Sequence, residues 1–131
     1  MQRHVDNALQ VAQWLDSDPR VQWVSYAGLP SSPYHDLAKK YTPKGPGSVF
    51  NFGVQGGYDA GIQCVEKVEL FSHLANVGDT RSLILHPAST THRQLSDKDR
   101  AIAGAGDDVV RVSIGLESVD DIIADLDYAL G

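Results

Sequence analysis

The sequence predicts an α/β fold in which helices and strands build one layered α+β sandwich. Segments with a helical spacing of apolar residues alternate along the chain with short apolar segments rich in β-branched and aromatic residues. The length points the same way, because 131 residues are enough for one domain with a single hydrophobic core. An apolar content of 42% with 21% charged residues is typical of an ordinary globular domain.

The first half of the chain predicts a helix, a strand and a long loop. Apolar residues at positions 5, 8, 9, 12 and 15 have the spacing of an amphipathic helix, which the Asp-Ser-Asp-Pro segment at 16–19 ends. No capping residue precedes this helix, so we expect either a frayed terminal helix or a chain that begins inside a longer one. Residues 21–26 predict a strand, and the proline-rich residues 28–47 predict a loop with a short helix around 34–41.

The second half predicts three strands and two longer helices. Residues 48–54 form the clearest strand, and the glycines at 53, 56 and 57 predict a tight turn into a helix over residues 58–70. Residues 82–86 and 109–114 predict two further short strands, separated by a loop and a short helix near 97–100. Ser118 is the predicted cap of the last helix, whose apolar stripe contains positions 119, 122, 123, 126 and 130.

Charge and cysteine content exclude several classes of partner. A net charge of -6 gives no electrostatic reason to expect a nucleic acid. No basic run is longer than Lys39-Lys40, and no apolar stretch approaches the roughly 20 residues of a membrane span, so no membrane partner is expected. Cys64 is the only cysteine, which rules out an intramolecular disulfide. With no leader-like start, we expect a cytoplasmic protein.

Arg111 is the residue whose position most needs an explanation. It shares one face of its predicted strand with Val109 and Ser113, in the middle of an apolar segment. A guanidinium buried alone is costly, so Arg111 requires water or an anionic partner, and its planar fork matches a carboxylate. That partner is either one of the 17 acidic residues of the chain or the carboxylate of a ligand, and a solvent-facing Arg on a half-exposed sheet is the third reading.

Other candidate sites have weaker patterns. His86 and His92 are spaced unlike any common zinc motif, and no Gly-x-Ser-x-Gly elbow marks a hydrolase, so we expect no metal site. The turn at 53–57 lacks the ending of a phosphate-binding loop and is expected to be a simple connector. Cys64 is expected to be inert core. Tyr34 and His35 are expected in a loop, where they could face a ligand, although nothing distinguishes them from ordinary surface residues.

Several segments resemble the C-terminal domain of the Cys/Met-metabolism family of pyridoxal-phosphate enzymes. The segments Asn-Val-Gly-Asp-Thr-Arg-Ser-Leu at 76–83 and His-Pro-Ala-Ser-Thr-Thr-His at 86–92 are similar to one family signature. The segment Val-Arg-Val-Ser-Ile-Gly-Leu-Glu at 110–117 resembles a second, and residues 1–8 and 50–57 also fit. Asn76 and Thr90 resemble the O-acetylhomoserine sulfhydrylase branch more than the γ-synthases or γ-lyases.

The resemblance implies a site shared between two domains of a larger enzyme. Residues 1–131 correspond to the small, substrate-closing C-terminal domain of a fold-type I transferase, a mixed or antiparallel sheet with helices packed on it. Residues 1–16 correspond to the tail of an interdomain helix. Arg111 matches the arginine that binds the substrate α-carboxylate, and Asn76 and Thr91 match positions near that carboxylate and the cofactor. The Schiff-base lysine and the other groups that bind pyridoxal phosphate belong to an N-terminal domain that is absent here.

The reaction that the resemblance implies is a γ-replacement, in which O-acetyl-L-homoserine loses acetate and sulfide or a thiol adds. The protein side orients the substrate while the cofactor withdraws electrons. We therefore expect no catalytic and no cofactor-binding residue in this chain, an inactive chain when isolated, and a homotetrameric parent. Two alternatives stay open: the same domain of a cystathionine γ-synthase, cystathionine γ-lyase or methionine γ-lyase, and a non-catalytic unit that self-associates.

Overall fold

The structure, a computed structural model, describes residues 2–30, 32–73, 79–87, 96 and 108–131. Four helices and five strands lie within these residues. In chain order they are α1 (Gln2–Ser17), β1 (Val21–Ser25), α2 (His35–Tyr41), β2 (Val49–Val54), α3 (Gly57–Lys67), β3 (Ser72–His73), β4 (Leu83–Leu85), β5 (Val109–Ser113) and α4 (Val119–Leu130).

The five strands form one sheet in the order β1-β2-β5-β4-β3. The pairs β1–β2, β2–β5 and β5–β4 are antiparallel, whereas β3 runs parallel to β4 at the edge. This mixed sheet with helices packed on it is the fold class that the sequence predicts. The central strand is β5, so the residues of β5 have a neighbouring strand on both sides.

The hydrophobic core lies between one face of the sheet and three helices. We call this face the helix face, and in β5 and just beyond it consists of Val110, Val112 and Ile114, which are fully buried. Apolar residues of α1, α3 and α4 pack against them, among them Leu15, Cys64 and Leu126. Alternation along each strand leaves the opposite face for the other residues.

The structure corrects the predicted end of the third helix. Residues 58–70 were expected to be helical, but α3 ends at Lys67 and Val68 is extended. The carboxylate of Asp125 in α4 accepts hydrogen bonds from the backbone N–H groups of Glu69, Leu70 and Phe71, at 2.8, 2.9 and 3.3 Å. A tertiary contact with a distant helix therefore satisfies these amides in an extended chain, which local spacing does not indicate.

Three further expectations meet different outcomes. Gly56 and Gly57 have positive φ angles of 102° and 71°, which is the tight turn that the glycines predict. Ser118 stands at the cap position of α4, but its side chain makes no capping hydrogen bond, so that part of the prediction is wrong. The short helix expected near 97–100 lies outside the described residues.

The length and hydropathy of the described helices bear on whether any of them could span a membrane. Within the part of the chain that the structure describes, none is both long enough and apolar enough to cross a bilayer.

Candidate functional site

Arg111 lies at the centre of the sheet, on the face opposite the helices. It is directly opposite Asn51 of β2 on one side and Leu85 of β4 on the other. Ser25 of β1 is opposite Asn51, so these four residues form one line across the sheet, which we call the Arg111 row. Residues directly opposite on one face have Cβ atoms about 4.5–5.5 Å apart. Asn51 and Leu85 are therefore the nearest cross-strand neighbours of Arg111.

The guanidinium of Arg111 is half-buried and has one described polar contact. Its Nε donates to Oδ1 of Asn51 at 3.5 Å, a long hydrogen bond. The ion pairs among the described residues join Arg20 to Asp18 and Asp127, and Arg81 to Asp79, and none involves Arg111. The internal salt bridge that the sequence left open is thus not formed with any described carboxylate. No described carboxylate therefore neutralises the positive charge of Arg111.

The surroundings of Arg111 combine buried apolar groups with one buried hydroxyl. Leu85 and Val109 are buried although they lie on the face away from the helices. Ser113, two residues along β5 on the Arg111 side, is 5% exposed. Its Oγ has no hydrogen-bond partner among the described residues. The guanidinium therefore stands in a partly dry environment, where its interaction with an anion is stronger than in water.

Trp23 and Asp108 form a hydrogen-bonded pair next to Gly53, on the same face of the sheet as Arg111. The indole Nε1–H of Trp23 donates to Oδ2 of Asp108 at 3.0 Å. The ring of Trp23 lies over Gly53, where a Cβ atom would collide with Nε1. Gly53 is opposite Val109, two residues along each strand from the Asn51–Arg111 pair. The absence of a side chain at 53 thus leaves the space that the Trp23 ring occupies on this face.

A polar network fixes the ends of β4 and β5. The Glu117 carboxylate accepts the backbone N–H and the hydroxyl of Ser82, each at 2.8 Å. The Ser82 Oγ in turn accepts the Gly115 N–H at 2.9 Å. Asn7 of α1 donates to the carbonyl oxygens of Gly115 and Glu117 at 3.1 and 2.9 Å. The segment at 110–117 therefore combines the half-buried Arg111 with the contacts that hold its strand in place.

Helix α1 makes a second attachment to the same region. The Nε2–H of His4 donates to the carbonyl oxygen of Asp79 at 3.0 Å, while its buried Nδ1 has no partner among the described residues. Because a carbonyl oxygen only accepts, this contact assigns the ring proton to Nε2. The first turns of α1 are thus joined to the loop before β4 as well as to the end of β5.

The structure places the other candidate residues unequally. Asn76 and Thr91, predicted as neighbours of Arg111, lie outside the described residues, as does His92. His86 is buried and meets the ring of Tyr58 edge-on at 5.0 Å between centroids. In the described ranges no three His, Cys, Asp or Glu side chains come together in a way that would hold a metal.

Cys64 and the predicted surface residues behave as ordinary structural groups. Cys64 is buried in the core as expected, and burial, with a smaller contribution from Asp125, raises the pKa of its thiol to about 12. Such a thiol is not ionised at neutral pH and is therefore inert. Tyr34 is exposed, whereas His35 is the first residue of α2 and not a loop residue, and its Nδ1 is 3.0 Å from the Ala27 carbonyl oxygen.

Asn51 is the site residue that sequence reasoning missed. The alternation of β2 placed it on the face opposite Phe50 and Phe52, but nothing in the sequence paired it with Arg111, which is 60 residues away. One signal was available, since asparagine is uncommon in the middle of a strand. The pairing itself required the register of β2 against β5.

Comparison with known proteins places these features in a family. The family model described as Cys/Met metabolism PLP-dependent enzyme matches residues 1–131, and the chain belongs to this family. It is similar to O-acetyl-L-homoserine sulfhydrylase 1 of Thermus thermophilus, with 53% identity over 98% of this chain and 31% of that protein. It is also similar to homocysteine synthase of Schizosaccharomyces pombe, with 49% identity over 99% of this chain and 30% of that protein.

A solved structure agrees with the sequence relatives. An O-acetylhomoserine (thiol)-lyase of Campylobacter jejuni, crystallised with N'-pyridoxyl-lysine-5'-monophosphate, matches with a TM-score of 0.90 and 43% identity. The match covers 98% of this chain and 30% of that one. The chain thus spans about 30% of the length of the relatives it matches.

The described residues do not by themselves fit pyridoxal phosphate, the cofactor that the family name specifies. A Schiff-base lysine needs a surrounding that lowers its pKa, usually by desolvation or a nearby cation. The described lysines, at positions 39, 40, 44 and 67, are all exposed at the surface. Among the described residues, the Arg111 face instead carries a half-buried guanidinium with no carboxylate partner.

Proposed function

We propose that this chain is the C-terminal domain of an O-acetylhomoserine sulfhydrylase, and that Arg111 binds the α-carboxylate of the amino-acid substrate. The observation that carries the proposal is the half-buried guanidinium of Arg111, which has no carboxylate partner among the described residues. Its fork matches a carboxylate with two parallel N–H···O bonds. The relatives named sulfhydrylase or homocysteine synthase support the branch.

The proposal assigns different roles to two parts of a longer protein. Residues 1–131 form the domain that closes over the substrate, with residues 1–16 as the end of a helix between the domains. A preceding domain holds pyridoxal phosphate, which acts as the electron sink of the γ-replacement when bound. The residues of this chain orient the substrate by its carboxylate and keep water from that side. Asn76 and Thr91 are proposed as neighbours of the carboxylate, on the family resemblance alone.

The substrates and the assembly are part of the same proposal. O-acetyl-L-homoserine and sulfide or a thiol are the proposed reactants, in a homotetrameric, cytoplasmic enzyme. Cystathionine γ-synthase, cystathionine γ-lyase and methionine γ-lyase activities are the alternatives within the family. One full-length preparation is assayed with O-acetylhomoserine plus sulfide, with O-acetylhomoserine plus cysteine, with cystathionine alone and with methionine alone, which distinguishes these activities directly.

The carboxylate role is tested in the full-length protein with Arg111→Ala. We expect kcat/KM for O-acetylhomoserine to fall by roughly 30- to 1,000-fold, the equivalent of about 2–4 kcal/mol of transition-state binding. Arg111→Lys keeps the charge without the fork and should fall between the two. Arg3→Ala, at an exposed arginine of α1, is the control and should leave the kinetics unchanged. Near-normal kinetics of Arg111→Ala would contradict the carboxylate role.

One surface favours the second candidate function, self-association of the isolated chain. Helix α2 has no buried residue, and Tyr34, Leu37 and Tyr41 along and beside it are 64%, 52% and 69% exposed. Exposed apolar groups of this size often mark contact surfaces. Size-exclusion chromatography with light scattering decides the question, because a monomer at high concentration contradicts self-association and leaves the enzyme proposal untouched.

A further inference from the structure

We propose that Asn51 is a positioning residue for the Arg111 clamp. In this view Asn51 holds the Nε edge of the guanidinium, and the substrate carboxylate binds end-on to Nη1 and Nη2. The inference rests on the proposed function, because it assigns a binding geometry to the carboxylate site proposed there. Neither the strand alternation nor the family signatures pair Asn51 with Arg111.

The first step of the argument is the geometry of the guanidinium. An arginine side chain binds a carboxylate bidentately through either of two edges, the Nε–Nη2 edge or the Nη1–Nη2 edge. In this structure the Nε–H points at Asn51 Oδ1, 3.5 Å away. A carboxylate that approached from the same edge would have to displace the amide. The edge formed by Nη1 and Nη2 has no hydrogen-bond partner among the described residues, and the inference assigns it to the ligand.

The second step is the register that brings the two side chains together. Asn51 and Arg111 are direct partners across the antiparallel pair β2–β5, so their side chains rise side by side from the same face. On the other flank Arg111 faces Leu85, which is buried and apolar and offers no hydrogen bond. The guanidinium therefore has a polar neighbour, Asn51, on one side and an apolar neighbour, Leu85, on the other.

The third step is the chemistry of the residue at position 51. Asparagine is depleted in strand interiors, so backbone preference does not explain its presence in the middle of β2. Its side chain has no other hydrogen bond among the described residues. A neutral amide supports the Nε–H without cancelling the charge of Arg111, whereas an aspartate there would form an ion pair with it. An amide thus orients the clamp and leaves its full charge to the substrate.

The test compares Asn51→Ala and Asn51→Asp in the full-length holoenzyme. For Asn51→Ala we expect KM for O-acetylhomoserine to rise by about three- to tenfold with kcat little changed, because one orienting hydrogen bond is lost. For Asn51→Asp we expect a rise of about ten- to a hundredfold, because the new carboxylate competes with that of the substrate. The matched control is Gln55→Glu, the same amide-to-carboxylate change at an exposed position just after β2, and it should leave KM unchanged.

A second measurement separates positioning from general damage to the sheet. L-norleucine and L-norleucinamide, which differ only at the carboxyl group, are compared as inhibitors of the wild type and of Asn51→Asp. We expect Asn51→Asp to weaken inhibition by norleucine while leaving inhibition by the amide unchanged. Equal weakening of both inhibitors would indicate a distorted site and would overturn the inference.

The two proposals fail in different ways. If Arg111→Ala leaves kcat/KM near normal, the carboxylate role of Arg111 is wrong and the inference about Asn51 falls with it. If Arg111→Ala is severely impaired but both Asn51 variants keep the wild-type KM, the role of Arg111 stands and the role of Asn51 is wrong. The double variant Asn51→Ala with Arg111→Lys adds a further check, since lysine has no Nε edge and the Asn51→Ala penalty should disappear in that background.

Discussion

Glu117 and Ser82 are joined by two hydrogen bonds, in which Oε2 of Glu117 accepts the Ser82 backbone N–H and Oε1 accepts its hydroxyl, both at 2.8 Å. The contact connects the segment after β5 with the residue before β4. These two strands are paired from Leu83 opposite Ser113 to Leu85 opposite Arg111. Glu117 thus stabilises the β4–β5 pair at the end where Leu83 is opposite Ser113, whereas Arg111 lies at the other end. Glu117 does not contact the guanidinium.

The first prediction concerns the removal of the Glu117 carboxylate. Glu117→Ala leaves the N–H and the hydroxyl of the fully buried Ser82 without their acceptors. We expect the free energy of unfolding to fall by about 2–3 kcal/mol, since unsatisfied buried donors carry their full desolvation cost. Urea denaturation of the protein measures the change.

Two variants bracket that result. Glu117→Gln keeps one acceptor oxygen and should lose about 1 kcal/mol. Glu66→Ala removes an exposed carboxylate on α3 and should change stability by less than about 0.5 kcal/mol. A Glu117→Ala protein as stable as Glu66→Ala would show that the two hydrogen bonds contribute nothing to the fold.

Much of this architecture follows from local pattern. The alternation at 109–114 predicts β5 and separates Arg111 from Val110 and Val112, and the structure confirms that separation. The predicted stripe of α4 is confirmed at Ile122 and Leu126, which are fully buried, while its members at 119, 123 and 130 are partly buried against the core. In both segments one face must meet the core, so the apolar spacing determines which residues point inward.

The parts that escaped prediction depend on contacts between distant segments. The end of α3 is set by Asp125, more than 50 residues further along, and the two-residue β3 exists only because Ser72 and His73 pair with Leu83 and Ile84. The neighbour of Arg111 is in the same class, because Asn51 reaches it through the β2–β5 register. No local propensity encodes such pairings, which become visible only once the sheet is assembled.

The second prediction concerns the ring that lies on Gly53. In Gly53→Ala the new Cβ would collide with Trp23 Nε1 and come within 2.7 Å of Asp108 Oδ2. We expect the Trp23–Asp108 hydrogen bond to break and the free energy of unfolding to fall by about 1–3 kcal/mol. Tryptophan emission reports the displacement, and Trp14→Phe isolates the signal because Trp14 and Trp23 are the two tryptophans of the chain.

The source of the cost is checked by removing the ring first. In a Trp23→Ala background the methyl group of Gly53→Ala meets no indole, so the substitution should cost much less than it does in the wild type. An equal cost in both backgrounds would mean that strand packing elsewhere, and not the Trp23 contact, requires glycine at 53.

The third prediction concerns how the stability contributed by the Asp18–Arg20 ion pair depends on pH. Its Nε and Nη2 donate to the two carboxylate oxygens of Asp18 at 2.9 and 2.8 Å, and Nη2 also contacts Oδ1 of Asp127 at 2.6 Å. The side-chain hydrogen bonds from Arg20 lower the pKa of Asp18 below its ordinary value of 3.8. Because the pKa of Asp18 is lower in the folded state than in the unfolded state, its carboxylate stabilises the fold at pH values above the unfolded pKa. This stabilisation is lost as the pH falls through the folded pKa.

The comparison of wild type with Arg20→Met measures that contribution. We expect a difference in unfolding free energy of about 1 kcal/mol at pH 7, because the pair is partly exposed. The difference should hold down to about pH 4 and shrink toward zero below it, where Asp18 becomes protonated in both proteins. Arg3→Met, which removes an arginine without a described ion pair, should show no such trend. A difference that grows as the solution is acidified would reverse the sign and contradict the assignment.

The last prediction compares two buried serines on neighbouring strands. Ser113 and Ser82 are 5% and 0% exposed, but the Ser113 hydroxyl has no partner among the described residues, whereas that of Ser82 donates to Glu117 and accepts from Gly115. Ser113→Ala removes a hydroxyl that makes no hydrogen bond with the described residues, so we expect a change in unfolding free energy of less than about 1 kcal/mol. Ser82→Ala should cost about 2–3 kcal/mol, because it also leaves the Gly115 N–H and a Glu117 oxygen unpaired. Urea denaturation of both variants side by side makes the measurement, and a Ser113→Ala loss as large as that of Ser82→Ala would show that the Ser113 hydroxyl is hydrogen-bonded in the folded protein.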